Sequence, residues 1–382
     1  MAKLYTFSSS VKPLYYLLQI LGLSSLSLSK LNTFVQINLL WKIYNILVLT
    51  MLIFFGSCAA FERLNQPGLK ATAVFGEILT MVIGAFKSVT AVFLCTIVNN
   101  TKNENLISKI LAIDSFLFVN PNNLYRKTFI FILLQVLLVY IYVIVLFLFD
   151  IFVWNVSLQT MTLWCLLTGY PHRIVNMACV IQFCDFVLLL KDRLHVLNLK
   201  MSSTIKDIVE KTPINISKLI LPNNSYNLNK SPDYFQLKEN IHNIRKCYDI
   251  SCDITELINN THGTLLFIEL VLAGIELTLA LYFLLSTILG RTEIHHIFKL
   301  ISLTAPCRAV INEYETCVML VQKLLLEDLN DEATRELKLF AEQLFHRRIK
   351  FTALNFLHID YTVLFTIFGA VTTYLVFALQ YR

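Results

Sequence analysis

Residues 354–381, LNFLHIDYTVLFTIFGAVTTYLVFALQY, form a nearly uninterrupted apolar run. About 20 apolar residues at a 1.5 Å rise per residue cross the hydrocarbon core of a bilayer, so this run is long enough to span one as a helix. It is not uniformly apolar. At the helical period, Thr362, Thr366, Gly369, Ala370, Thr373, Phe377 and Gln380 fall within about 60° of one line, while Leu364, Phe368, Val371, Leu375 and Leu379 occupy the opposite side. A helix surrounded by lipid gains nothing from hydroxyls and an amide along one side, because a polar group without a partner in hydrocarbon costs several kcal/mol. Two readings fit such a stripe: packing against neighbouring helices through small and hydroxyl residues, or the lining of a water-filled path.

The rest of the chain has the same character. It has 382 residues, 56% apolar and 15% charged, with a mean hydropathy of +0.63, far more apolar than soluble domains. Apolar stretches lie at 39–61, 71–98, 128–149, 158–190, 263–289, 297–321 and 354–381. The expectation is therefore an all-α polytopic membrane protein with seven transmembrane helices. The sixth stretch is the weakest, interrupted by Pro306, Arg308, Asn312, Glu313 and Glu315, and a break is expected in the fourth at Gly169 and Pro171. Of 32 Lys and Arg, 23 fall in the N-terminal segment and the second, fourth and sixth connections; four fall on the other side. Basic loops stay in the cytosol, which makes the N-terminus cytosolic and the C-terminus extracellular. The divisions that follow are a cytosolic segment 1–38 with a short amphipathic surface helix after Ser8, Ser9 and Ser10, helices one to four in 39–190, and a cytosolic connection 191–262. Helices five and six then occupy 263–321, a cytosolic anchor segment 322–353, and the last helix 354–382. Within the connections, 234–258 and 325–345 carry apolar residues at helical spacing and are expected to be cytosolic helices. The run 14–23 has the length of a signal-peptide core, but no small-residue cleavage pattern follows it. Among the Asn-x-Ser/Thr matches, Asn155 alone falls in an expected external loop, close to the membrane.

The excluded classes are informative. No Gly-rich phosphate loop or Gly-x-Ser-x-Gly elbow occurs, so no enzyme is expected. Metal patterns are missing and the nine cysteines sit largely in apolar spans as small hydrophobes, so neither a metal nor a cofactor is expected. The net charge of +6 is a loop bias, and no nucleic-acid partner is expected. A G-protein-coupled receptor would show Asp-Arg-Tyr after the third span, Asn-Pro-x-x-Tyr in the seventh, and the opposite orientation. A secondary transporter would carry broken helices in matching halves. Charged and aromatic groups in the outward halves of the spans are the candidates for a small-molecule pocket: Glu77, Thr80, Tyr140, Tyr142, Trp164, Tyr170, Glu276 and Tyr282. Structural pairing among Glu77, Lys87, Arg173 and Glu276 is the competing explanation for the charges.

The chain ends on Thr373-Tyr374, five apolar residues, then Gln380-Tyr381. This resembles the closing signature of insect gustatory receptors, with Tyr381 where the family usually has Phe. The likeness extends upstream through His346-Arg347-Arg348, Phe351-Thr352-Ala353, Phe356 and Asp360-Tyr361. The resemblance implies a taste receptor in the plasma membrane of a sensory neuron that acts as a ligand-gated non-selective cation channel without a G protein. It also implies a homo- or heterotetramer of receptor subunits in which the last helix of each lines the pore. Thr366, Thr373, Phe377, Gln380 and Tyr381 would then line or close that pore, and the ligand would be a small-molecule tastant. The sugar branch usually has Glu after Thr-Tyr; Leu375 stands here, which favours a bitter or other non-sugar ligand. An odorant receptor of the same superfamily is the nearest alternative, and a transporter or scaffold using the stripe for packing the next.

Overall fold

The computed structural model describes residues 6–24, 26–28, 35–37, 39–65, 71–97, 100–118, 122–156, 163–211, 232–287, 293–327 and 329–380. The described chain is almost wholly helical. In order the helices are α1 (Phe7–Ile20), α2 (Leu39–Leu64), α3 (Ala71–Ile97), α4 (Asn100–Leu117), α5 (Asn122–Val156), α6 (Leu163–Lys211), α7 (Pro232–Thr287), α8 (Glu293–Leu325), α9 (Asp331–His346) and α10 (Tyr361–Gln380). Two antiparallel hairpins complete it, β1 (Leu26–Leu28) with β2 (Val35–Ile37), and β3 (Thr352–Ala353) with β4 (Leu357–His358). Each of the seven apolar stretches is occupied by a helix. Among the described residues, five helices are long and apolar enough to cross a membrane, those of α2, α3, α5, α6 and α7. The apolar run of α10, Tyr361–Phe377, is shorter, and α8 carries Lys299, Arg308, Glu313 and Glu315.

Helix α6 is the centre of the bundle and α5 its edge: 78% of the most apolar part of α6 is buried, against 6% for α5. Helices α2, α3, α7 and α8 pack around α6. The expected break at Gly169 and Pro171 is not there; α6 continues through Pro171. Proline removes one backbone hydrogen bond, and neighbouring helices in a bundle hold such a helix together around the gap. With 49 and 56 residues, α6 and α7 are about 74 and 84 Å long, more than twice the hydrocarbon thickness, so both project well beyond a bilayer.

The projecting ends are wrapped by α1, α4, α9 and the β3–β4 hairpin. Helix α1 starts on a capping box in which Thr6 accepts from Ser9 N, and it buries Phe7, Val11, Leu14, Tyr15 and Leu18. This face packs on α5, with Phe7 edge-on to Tyr125 at 6.1 Å. Helix α4 was not singled out from the sequence, although Leu106, Ile107, Ile110, Ile113 and Leu117 recur at three and four and all are buried. Its Asp114 meets Arg193 of α6 through two hydrogen bonds of 2.9 and 2.8 Å and accepts a third from Tyr125 at 2.9 Å. Helix α9 is capped by Asn330 and buries Ala333, Leu337, Phe340 and Leu344. Leu326 and Phe345 are exposed, Leu326 because the helix begins only at Asp331 and Phe345 because it lies about 100° round the helix from the buried face. Arg347 bonds Asp253 at 2.7 Å and also Asp249, and Tyr248 donates to the Arg347 carbonyl at 2.6 Å. Those hydrogen bonds, to Asp253 first, hold the guanidinium above its ordinary pKa, so it is charged at any accessible pH.

The β3–β4 hairpin joins this layer to α10. Its turn places Leu354 and Asn355 at φ 54° and 57°, with Phe356 N donating to Ala353 O at 3.0 Å, the pattern of a tight primed turn. The hairpin is docked on α7: Asn259 accepts from Thr352 N at 3.1 Å and donates to Lys350 O at 2.9 Å. Directly beside it Gly263 lets the two backbones approach, and a Cβ there would lie 3.2 Å from Leu354 N. Valine at 263 pushes against backbone that a tight turn cannot easily yield. Gly263→Val should therefore cost about 1–3 kcal/mol and lower the melting temperature of the purified protein, whereas Gly274→Val, with only the flexible Ile367 side chain 3.9 Å away, should leave it nearly unchanged.

Candidate functional site

Helix α10 begins on Asp360, whose carboxylate accepts from Thr362 N at 2.9 Å and from the Thr362 hydroxyl. The helix lies along α7 and touches α8. Val363 and Val371 are buried in this contact, with Leu364, Ile367 and Leu375 half-buried beside them. These residues project about 150° away from the stripe of small and polar side chains. Thr362, Thr366, Gly369, Ala370, Thr373, Phe377 and Gln380 are all exposed. The hydroxyls of Thr366 and Thr373 donate to Thr362 O and Gly369 O at 3.0 and 2.9 Å, within the helix itself. Tyr374 is exposed as well, and Tyr381 lies outside the described residues.

One cluster of four buried charges joins three helices. Lys87 Nζ of α3 lies 2.6 Å from Glu276 Oε2 and 3.4 Å from Glu269 Oε1, both on α7. Lys299 Nζ of α8 lies 2.6 Å from the same Glu269 Oε1. All four are buried and their charges cancel. The spacing on α7 explains the geometry: residues 269 and 276 are two helical turns apart and face the same way. A cavity of about 30 Å³, lined by Lys87, Asn176, His262 and Glu269 among others, adjoins the cluster and has room for about one water. The Lys87–Glu276 pair joins two of the charges flagged in the sequence. Glu269 and Lys299 were missed, though a Glu and a Lys within apolar spans are the same signal.

Arg173 pairs elsewhere. Its Nη1 lies 3.4 Å from Asp150 Oδ2, an oxygen that also accepts from Tyr170 OH at 2.7 Å, and the guanidinium sits over the Tyr170 ring at 5.2 Å. Tyr142 packs on Phe298 at 5.8 Å, and His172 Nδ1 and Ser88 Oγ are 2.6 Å apart. Of the eight candidate pocket residues, Tyr142, Tyr170, Thr80 and Glu276 are half-buried or buried in the bundle, whereas Tyr140 lies on the exposed outer face of α5. The side chains of Glu77, Trp164 and Tyr282, like that of Asn155, lie outside the described residues. Among the described residues, no group of His, Cys, Asp and Glu is arranged to hold a metal.

The family model described as 7tm chemosensory receptor matches residues 11–382. The putative gustatory receptor 28b of Drosophila melanogaster is 24% identical over 336 residues, covering 80% of this chain and 70% of that protein. The structure of the insect olfactory receptor OR5 from Machilis hrabei superposes with a TM-score of 0.67 at 14% identity, covering 97% of this chain and 98% of that one. The same receptor in complex with eugenol superposes at 0.62 and 13% identity, with the same coverage.

Proposed function

Because this chain belongs to the 7tm chemosensory receptor family, we propose that it is a gustatory receptor working as a ligand-gated cation channel built from four subunits, with α10 of each lining the pore. It is a multi-pass membrane protein of the fold seen in the insect olfactory receptor. The observation that carries the reading is the exposure of the whole stripe from Thr362 to Gln380 while Val363 and Val371, on another side of α10, are buried. Side chains of this kind are costly against lipid and useful beside water or a second copy of the helix. Around a fourfold axis, Phe377 and Gln380 form an aromatic ring and an amide ring that close the path by excluding water, and a small rotation of α10 wets it.

The basic ends of α6 and α7, together with α1, α4 and α9, are cytosolic in this reading, following the distribution of Lys and Arg. The N-terminus is then inside and residue 380 is near the outer face. A small molecule binds in the outward half, among Thr80, Tyr142, Tyr170 and Glu276, and shifts the closed–open equilibrium by its differential affinity for the two states. Leu375 after Thr373-Tyr374 favours a bitter or other non-sugar ligand. No G protein takes part.

Gln380→Ala is the test. In cells expressing the chain, a panel of bitter compounds, sugars and volatiles should first give a fast inward cation current that persists when G-protein signalling is blocked. The alanine variant should reach the surface at wild-type levels and change ion selectivity or the agonist concentration for half-activation. Unchanged currents in Gln380→Ala and in Phe377→Ala would remove α10 from the pore.

A further inference from the structure

A second cavity, of about 210 Å³, opens between α5 and α6 and shares no lining residue with the α10 stripe or with the cavity beside the four-charge cluster. Its walls are Phe131, Ile132, Leu188 and Leu189, its rim carries Lys127 and Asp192, and Asp185 and Thr128 complete it. Asp185 is 2% exposed and Thr128 7%. Both carboxylate oxygens of Asp185 and the hydroxyl of Thr128 are buried without a hydrogen bond. From α5 the Gln135 side chain is a polar neighbour of Asp185, and its own carbonyl oxygen is also unmatched. Asp185 and Asp192 are seven residues apart on α6, so the deep carboxyl sits about 10 Å further along the helix than the rim charges.

We infer that this cavity is a binding site for a small amine, an ammonium group carried on an apolar body of about one ring. An unmatched buried carboxyl is costly, and the three unmatched oxygens that line this space, two of Asp185 and one of Thr128, ask for hydrogen-bond donors and positive charge. An ammonium brings three donors and one charge, enough for the two Asp185 oxygens and the Thr128 hydroxyl oxygen. The size follows from the walls: an apolar cavity of about 150 Å³ takes benzene, so the space here admits a ring with a short aminoalkyl arm. A phospholipid headgroup fits less well, because it carries its charges at the rim and its chains deeper, the reverse of the polarity here. The site is independent of the pore reading and its test reads binding, not current.

The full-length receptor in phosphatidylcholine nanodiscs should bind radiolabelled 2-phenylethylamine saturably. Asp185→Asn, which keeps the shape, should weaken that binding at least about tenfold, and Leu188→Trp, which fills the cavity, should abolish it. On the wild-type protein, 2-phenylethanol, with one donor and no charge, should compete at least about tenfold more weakly than unlabelled amine, a readout that does not depend on any variant folding. Equal competition by the alcohol, undiminished binding to Asp185→Asn, or no saturable binding to the wild type would each overturn the assignment. So would phosphatidylethanolamine that co-purifies with the wild type, is lost from Asp185→Asn and resists displacement by the amine.

Discussion

Glu269→Gln should remove most of the mature protein from the cell surface. Glu269 is the pivot of the buried cluster, since one of its oxygens serves both Lys87 and Lys299 and so ties α3, α7 and α8 together. Glutamine keeps the volume and loses the charge. Two ammonium groups are then left with one carboxylate, Glu276, which already belongs to Lys87 at 2.6 Å. Stranding Lys299 in this way costs about 3–5 kcal/mol, the usual cost of breaking a buried pair from one side. Against a total stability of about 5–15 kcal/mol this is a large fraction. The intact pair itself adds little over apolar packing, so removing both partners should be far milder than removing one. Glu269→Gln combined with Lys299→Met should therefore recover surface abundance and the thermal stability of the detergent-purified protein. A double variant no better than Glu269→Gln alone would show that the stranded charge is not the cause.

The second large effect belongs to Arg193. It is 1% exposed, grips both oxygens of Asp114 and donates a further bond of 3.1 Å to Leu189 O, while Tyr125 closes the Asp114 carboxylate from α5. Three helices meet in this contact. Lysine carries the same charge but cannot make the forked contact, so Arg193→Lys should lose most of what Arg193→Met loses, about 3 kcal/mol or more. The conservative Asp114→Asn should be as harmful, because it leaves the guanidinium buried without its counter-charge. Melting of purified variants measures this directly; an Arg193→Lys protein as stable as wild type would show that charge alone, and not the fork, is what the site needs.

The two effects bear on function differently. The Arg193–Asp114 contact lies in the layer that wraps the projecting ends of α6 and α7, and it should act on folding without altering ligand preference. The Lys87–Glu269–Glu276–Lys299 cluster includes Glu276, one of the residues of the proposed ligand pocket, so under that proposal partially stable variants there should shift the agonist concentration for half-activation as well as abundance.

Much of this molecule was decided by the sequence alone. Apolar runs of sufficient length make helices wherever the backbone must satisfy itself in hydrocarbon, so seven stretches became seven helices, and the run 354–381 already separated a greasy side from a small and polar one. The ending Thr373-Tyr374 to Gln380-Tyr381 pointed to the chemosensory receptors for a reason periodicity cannot supply, a family likeness. What the chain left open were the pairings. Helical spacing tells which residues share a face but not which face meets which helix. Lys87 was visible, but its pairing with Glu269 and Glu276 depends on how α3 and α7 are rotated against each other. The same holds for Arg193 and Asp114, 79 positions apart, and for the unmatched carboxyl of Asp185. Only the packed bundle decides such contacts, because burial turns a charge that water would solvate into one that must find a partner, and the partner is set by the tertiary arrangement. The fate of the stripe on α10 was settled the same way: its sequence allowed packing or exposure, and the contact of Val363 and Val371 with α7 turned the polar side outward.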